Sequence, residues 1–163
     1  MGVLDPVFQG LSYIGIAGLV WIALSIVLAV VLRRPALFPL VTIAVLCADA
    51  LALLLKKAFD VERPSLRYAE PDPLVRTPTD LSFPSGHAAT SFAAAALLAM
   101  AAPRLAVPLY ALATAIAFSR VYVGVHYPLD ILVGALLGTG VGLLLVYLER
   151  HRPLPRRRRD SAA

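Results

Sequence analysis

Apolar positions in this chain run in long unbroken blocks, and the polar residues gather between them. Leu11 to Leu32 carries no charge and stops at Arg33-Arg34-Pro35. At about 1.5 Å of rise per residue, a helix over that block covers roughly 33 Å, enough for the hydrocarbon core of a bilayer. Ala36 to Leu55 is a second block, interrupted only by Asp49 and ended by Lys56-Lys57. Residues 56–84 are polar and proline-rich, which predicts a loop outside lipid with little regular structure. Ser85 to Ala102 is a third block, alanine-rich and short, so its start is expected at the membrane interface. Pro103-Arg104 marks a turn, and Leu105 to Phe118 is a fourth span with Pro108 tolerated in its first turn. Pro128 suits the first turn of a fifth helix that runs to Tyr147 or Leu148. The predicted fold is all-α, an integral membrane bundle of about five transmembrane helices.

Composition agrees with that picture. Of 163 residues, 60% are hydrophobic and the mean hydropathy is +0.80, too apolar for an ordinary soluble domain. A single cysteine, Cys47, excludes an internal disulfide, and no Cys/His cluster suggests zinc. The first residues lack the basic head of a signal peptide, so the first span is expected to be retained. One transmembrane domain is expected over residues 1–152, with its polar loop at 56–84, followed by a disordered basic cytoplasmic tail at 153–163.

The net charge of +5 does not point to nucleic acid, because the basic residues sit at the ends of apolar spans. Five spans put the chain ends on opposite sides. One side carries nine Lys/Arg: Arg33, Arg34, Arg104, Arg150, Arg152 and Arg156 to Arg159. The other carries six, Lys56, Lys57, Arg63, Arg67, Arg76 and Arg120, together with most of the acids. The positive-inside rule then predicts a multi-pass cell-membrane protein with a cytoplasmic C-terminus.

That topology brings three distant segments to one extracytoplasmic face. Lys56 to Arg63 follows the second span, Pro84-Ser85-Gly86-His87 opens the third, and Ser119 to Asp130 links the fourth and fifth. Three cations, Lys56, Arg63 and Arg120, suit an anionic ligand, and arginine forks suit phosphate oxygens. The start of a helix at Ser85-Gly86 offers unpaired N–H groups, with Ser85 free to cap the helix or donate its hydroxyl. Asp130 lies four residues after His126, one helical turn, so its carboxylate can hold one ring nitrogen and leave the other to attack. His87 is then the general acid for the leaving oxygen. A neutral nucleophile and a protonated acid together predict a bell-shaped pH dependence. No carboxylate cluster of the kind Mg²⁺ uses is present in the sequence, so neither metal nor cofactor is expected.

Eleven specified positions, Lys56, Arg63-Pro64, Pro84-Ser85-Gly86-His87, Ser119-Arg120, His126 and Asp130, resemble the three signature motifs of the type 2 phosphatidic acid phosphatase superfamily. The resemblance covers residues from about 50 to 145 and leaves the first span outside. It implies an acid phosphatase/haloperoxidase-like helical core and a phosphohistidine intermediate on His126. It implies His87 as acid, and Lys56, Arg63, Ser85, Gly86 and Arg120 as phosphate ligands. Lipid phosphates or pyrophosphates are the implied substrates. A polyprenyl pyrophosphate such as undecaprenyl pyrophosphate is favoured over phosphatidic acid, phosphatidylglycerol phosphate or a polyprenyl-phosphate sugar phosphate. A lipid phosphotransferase with the same site and a non-enzymatic anion-binding transporter or scaffold are the competing expectations.

Gly134, Gly138 and Gly142 recur every fourth residue of the fifth helix. This spacing lets another helix approach closely. Packing within the chain is expected ahead of a homo-oligomer through that helix. Asp49, a carboxylate inside a span, is a functional candidate by default; a hydrogen bond to a neighbouring helix is expected ahead of a supporting role behind the site. Tyr122 and Tyr127 are expected as interface anchors and Trp21 as packing.

Overall fold

The computed structural model describes residues 2–68 and 70–151. The expected tail at 153–163 and Arg152 therefore lie outside the described residues. Among the described residues all regular structure is helical. The helices are α1 (Asp5–Ile14), α2 (Leu19–Val31), α3 (Leu37–Phe59), α4 (Pro64–Arg67), α5 (Gly86–Ala101), α6 (Ala106–Tyr122) and α7 (Pro128–Arg150).

Each apolar block is helical, but three features differ from the expectation. The first block is not one helix. A 3₁₀ turn at Ile16–Gly18 separates α1 from α2, and the two are bent by 54°. Ala17 (φ 50°) and Gly18 (φ 68°) both take left-handed backbone there, which no continuing helix can accommodate. Secondly, Lys56 lies in the last turn of α3, not in the loop; the helix stops at Asp60, whose φ of 51° breaks it. Thirdly, the polar loop carries the one-turn helix α4, because Pro64 is pre-shaped for a first helical turn. By length and composition α3, α6 together with the 3₁₀ turn at Pro103–Leu105 before it, and α7 can each cross a membrane, and the bent α1–α2 pair, counted as one span, makes a fourth candidate. The fifth, α5, has only 16 residues, roughly 24 Å at 1.5 Å per residue.

This short helix is the centre of the bundle. Its residues Ala88 to Ala99, Phe92 apart, are all buried, as a helix apolar on every face must be. α7 lies closest to it. A Cβ on Gly134 would stand 2.5 Å from the Ser85 carbonyl and one on Gly142 2.6 Å from that of Ala93, while one on Gly138 would collide with the carbonyl of Ala89. The glycine stripe thus packs within the chain, against α5. Trp21 of α2 is fully buried and its Nε1–H donates to Ser91 Oγ of α5 at 2.9 Å. The opposite faces are apolar and exposed, as at Leu132, Leu136 and Leu143 of α7. Such a surface is suited to lipid.

Candidate active site

The site lies where α3 and α6 end and α5 and α7 begin. After α3 the chain turns at Asp60 and reaches Arg63, held extended (φ −72°, ψ 148°) by the proline that follows it. Both Lys56 and Arg63 are buried, 4% and 2% exposed. Arg63 Nε donates to the Asp80 carbonyl at 2.7 Å and Nη1 to the Val125 carbonyl at 2.9 Å. Its Nη2 pairs with Asp80 Oδ1 at 2.7 Å, while Lys56 Nζ pairs with Asp80 Oδ2 at 3.0 Å and donates to the Leu81 carbonyl. Asp80 thus bridges both cations. Burial alone would raise its carboxyl, but the hydrogen bonds and charges of Lys56 and Arg63 outweigh burial and hold it below the usual carboxylate range.

His126 is shaped by the turn between α6 and α7. Gly124 takes φ 80°, and the N–H groups of Val125 and His126 both donate to the Arg120 carbonyl. Tyr127 then caps α7 in extended conformation, with Pro128 in the first turn. Asp130 Oδ2 accepts from the Tyr127 N–H at 2.9 Å and from Ser82 Oγ, and it stands 3.1 Å from His126 Nδ1. A carboxylate facing Nδ1 assigns the proton to that nitrogen. The other nitrogen, Nε2, then presents its lone pair to Arg63 Nη1–H, 3.0 Å away. Burial drives the His126 imidazole down to about 4; the Asp130 bond pulls upward, and the charges of Arg63, Lys56 and Arg120 add to the lowering. His126 is therefore neutral at neutral pH.

At the start of α5, Ser85 is extended and makes no side-chain cap bond; its buried hydroxyl has no hydrogen-bond partner among the described residues. The same holds for Arg120 Nε, although the Arg120 side chain is only 5% exposed. Buried donors without partners are rare enough to mark a place for an acceptor. His87 Nε2–H donates to the Ser12 carbonyl at 3.2 Å.

Six of the eight residues singled out from the sequence, Lys56, Arg63, Gly86, His87, Arg120 and His126, share the wall of one cavity of about 250 Å³. Ser85 and Asp130 are not on that wall; Asp130 stands behind His126. Asp49 and Asp80 are on it, and the Asp49 carboxylate is 3.2 Å from where a Cβ of Gly86 would lie. Asp49 thus lies beside the site, with no hydrogen bond to a neighbouring helix among the described residues. Sequence reasoning missed Asp80 and Ser82 as site residues, and Ser12 altogether. For Asp80 and Ser82 the nearness to Pro84-Ser85-Gly86-His87 was a usable signal. A larger cavity of about 350 Å³ opens at the other end of the bundle beside Arg34 and Arg150, with no histidine in its wall.

The sequence matches the PAP2 superfamily over residues 18–153. The chain belongs to this family. It is 37% identical over 151 residues to the decaprenylphosphoryl-5-phosphoribose phosphatase of Mycobacterium tuberculosis, covering 92% of this chain and 83% of that protein. It is 34% identical over 137 residues to the undecaprenyl-diphosphatase of Sulfolobus acidocaldarius, covering 83% and 66%. The crystal structure of Aquifex aeolicus LpxE superposes with a TM-score of 0.78 at 30% identity, covering 90% of this chain and 87% of that one. This PAP2 protein is thus a membrane phosphatase with the helical core that the motifs implied.

Proposed function

We propose that this PAP2 phosphatase removes phosphate from a polyprenyl-linked phosphate or pyrophosphate at the extracytoplasmic face, through a phosphohistidine on His126. The observation that carries the reading is the His126 geometry: Nδ1 held by Asp130 and Nε2 turned to Arg63 beside the cavity. Substrate phosphate displaces the Arg63 Nη1–H from Nε2, and that donor passes to a phosphate oxygen. Nε2 then attacks phosphorus, the bond to the leaving oxygen breaks, and protonated His87 gives that oxygen its proton. Asp130 stabilises the positive charge left on the His126 ring. Lys56, Arg63, Arg120, the Ser85 hydroxyl and the Gly86 N–H stabilise the oxygens as their charge grows. Water, giving its proton to His87, cleaves the phosphorus–nitrogen bond and restores both histidines.

Two relatives support a polyprenyl lipid, since the mycobacterial and archaeal proteins are both named for polyprenyl-linked phosphates. The nine-to-six distribution of Lys/Arg supports the extracytoplasmic orientation. Phosphate release by the purified chain in detergent, from a panel of polyprenyl pyrophosphate, a polyprenyl-phosphate sugar phosphate, phosphatidic acid and phosphatidylglycerol phosphate, tests the proposal. Release is expected to be fastest from a polyprenyl lipid and to vanish in His126→Ala. Equal release by His126→Ala would remove His126 as nucleophile, and preference for a glycerolipid would overturn the substrate class.

A further inference from the structure

The cations of the site are not held alike. Lys56 and Arg63 are tied down through the Asp80 carboxylate and four backbone carbonyls, those of Asp80, Leu81, Ser82 and Val125. Arg120 has no such support. Its one side-chain hydrogen bond among the described residues runs from Nη1–H to Ser12 Oγ, on the helix that precedes the kink. Ser12 is 1% exposed, and its own carbonyl accepts the His87 Nε2–H. One residue therefore touches both Arg120 and His87. It also lies outside the stretch matched to the family, which begins at residue 18.

The rest of α1 is built to keep Ser12 there. Asp5, Phe8 and Ser12 fall on one face at helical spacing. The Tyr122 hydroxyl donates to Asp5 Oδ1 at 3.0 Å, Phe8 stacks on Tyr122 with centroids 4.1 Å apart, and Gln9 Nε2 donates to the Leu74 carbonyl at 2.7 Å. Beyond Ser12 the absence of a side chain at Gly15 matters: a Cβ there would stand 2.9 Å from His87 Cδ2 and 2.5 Å from Ile116 Cγ2. The 54° bend then carries the chain away into α2.

We propose that Ser12 is a positioning residue of the site, its hydroxyl aiming the Arg120 guanidinium at the phosphate while its carbonyl orients the His87 ring. The proposal rests on the reading of Arg120 as a phosphate ligand. Without the hydroxyl, Arg120 keeps its charge and loses its direction, so phosphate affinity falls although no ligand of the phosphate has been removed.

Titration calorimetry of inorganic phosphate into the full chain in detergent reads this without turnover. Ser12→Ala is expected to weaken phosphate binding about tenfold, the scale of one hydrogen bond to a charged group, and Ser12→Thr to restore it to within about twofold. In an Arg120→Ala background, Ser12→Ala is expected to change nothing further. A merely structural role would add its loss in both backgrounds, whereas a role exercised through Arg120 disappears with it. Ser12→Cys, close in size with a weak acceptor, repeats the test should Ser12→Ala fold poorly. Unchanged affinity in Ser12→Ala, with Arg120→Ala still weakened, would overturn the positioning role alone. Unchanged affinity in Arg120→Ala would remove Arg120 as a phosphate ligand, and the inference with it.

Discussion

Asp130 performs two tasks with one oxygen. It caps α7 through the Tyr127 N–H and it holds His126 Nδ1, so the start of a helix and the aim of the nucleophile are one structure. The neutral His126 sets the acid side of the pH profile. Only the unprotonated ring has a lone pair to attack with, so the acid limb of kcat/KM should fall as pH drops through about 4, while the alkaline limb belongs to His87. A profile whose acid limb lies near the ordinary histidine value would mean another group controls it. Asp80 makes a different prediction. It is the only carboxylate paired with Lys56 and Arg63 among the described residues, and its loss leaves two buried cations unpaired. Because its side chain is 43% exposed and water screens the pair, Asp80→Ala should cost about 1–2 kcal/mol, less than for a fully buried pair. Denaturation in detergent would show it, with phosphate affinity reduced as well.

The pairing of α5 with α7 is the element contact that most constrains the fold. The short central helix carries His87 at one end, and the glycines of α7 let its backbone approach closely. Gly138→Ala should therefore destabilise by about 1–3 kcal/mol, because the added methyl meets a backbone carbonyl that cannot move aside. Gly140, two residues on, has nothing within 4 Å of its would-be Cβ. Gly140→Ala should be neutral or stabilising by up to about 1 kcal/mol. A comparison of the two Tm values in one detergent checks this, and equal gains would show that helix propensity, not packing, governs both positions. Tyr122 belongs to this level too: expected as an interface anchor, it fastens α1 to α6 through Asp5 and Phe8.

In the molecule as a whole the core is apolar and rich in alanine, the polar side chains are buried at the site end, and many large apolar side chains, such as Leu132, Leu136 and Leu143, face outward. All site residues gather at one end, and Arg33, Arg34, Arg104 and Arg150 lie at the ends of spans that face the other way. A reporter fused after the last residue should accordingly be active only in the cytoplasm. Activity outside would turn the site to the cytoplasmic face.

The linear order of residues was enough to find the membrane blocks, the three motifs and their meeting at one end of the bundle. Span length, charge at span ends and catalytic spacing are local properties, and each apolar block did become helix. The kink at Ala17-Gly18 was not legible, because Leu11 to Leu32 is uncharged throughout and left-handed backbone at an alanine has no hydropathy signature. Nor was the bridging of Lys56 and Arg63 by Asp80 legible, since one acid in a mixed-charge loop looks like any other until the loop folds back. Ser12, 108 residues from Arg120, is the furthest case. A small hydroxyl inside an apolar run has no pattern to mark it, and its contact with both Arg120 and His87 exists only because α1 bends back across the end of α6.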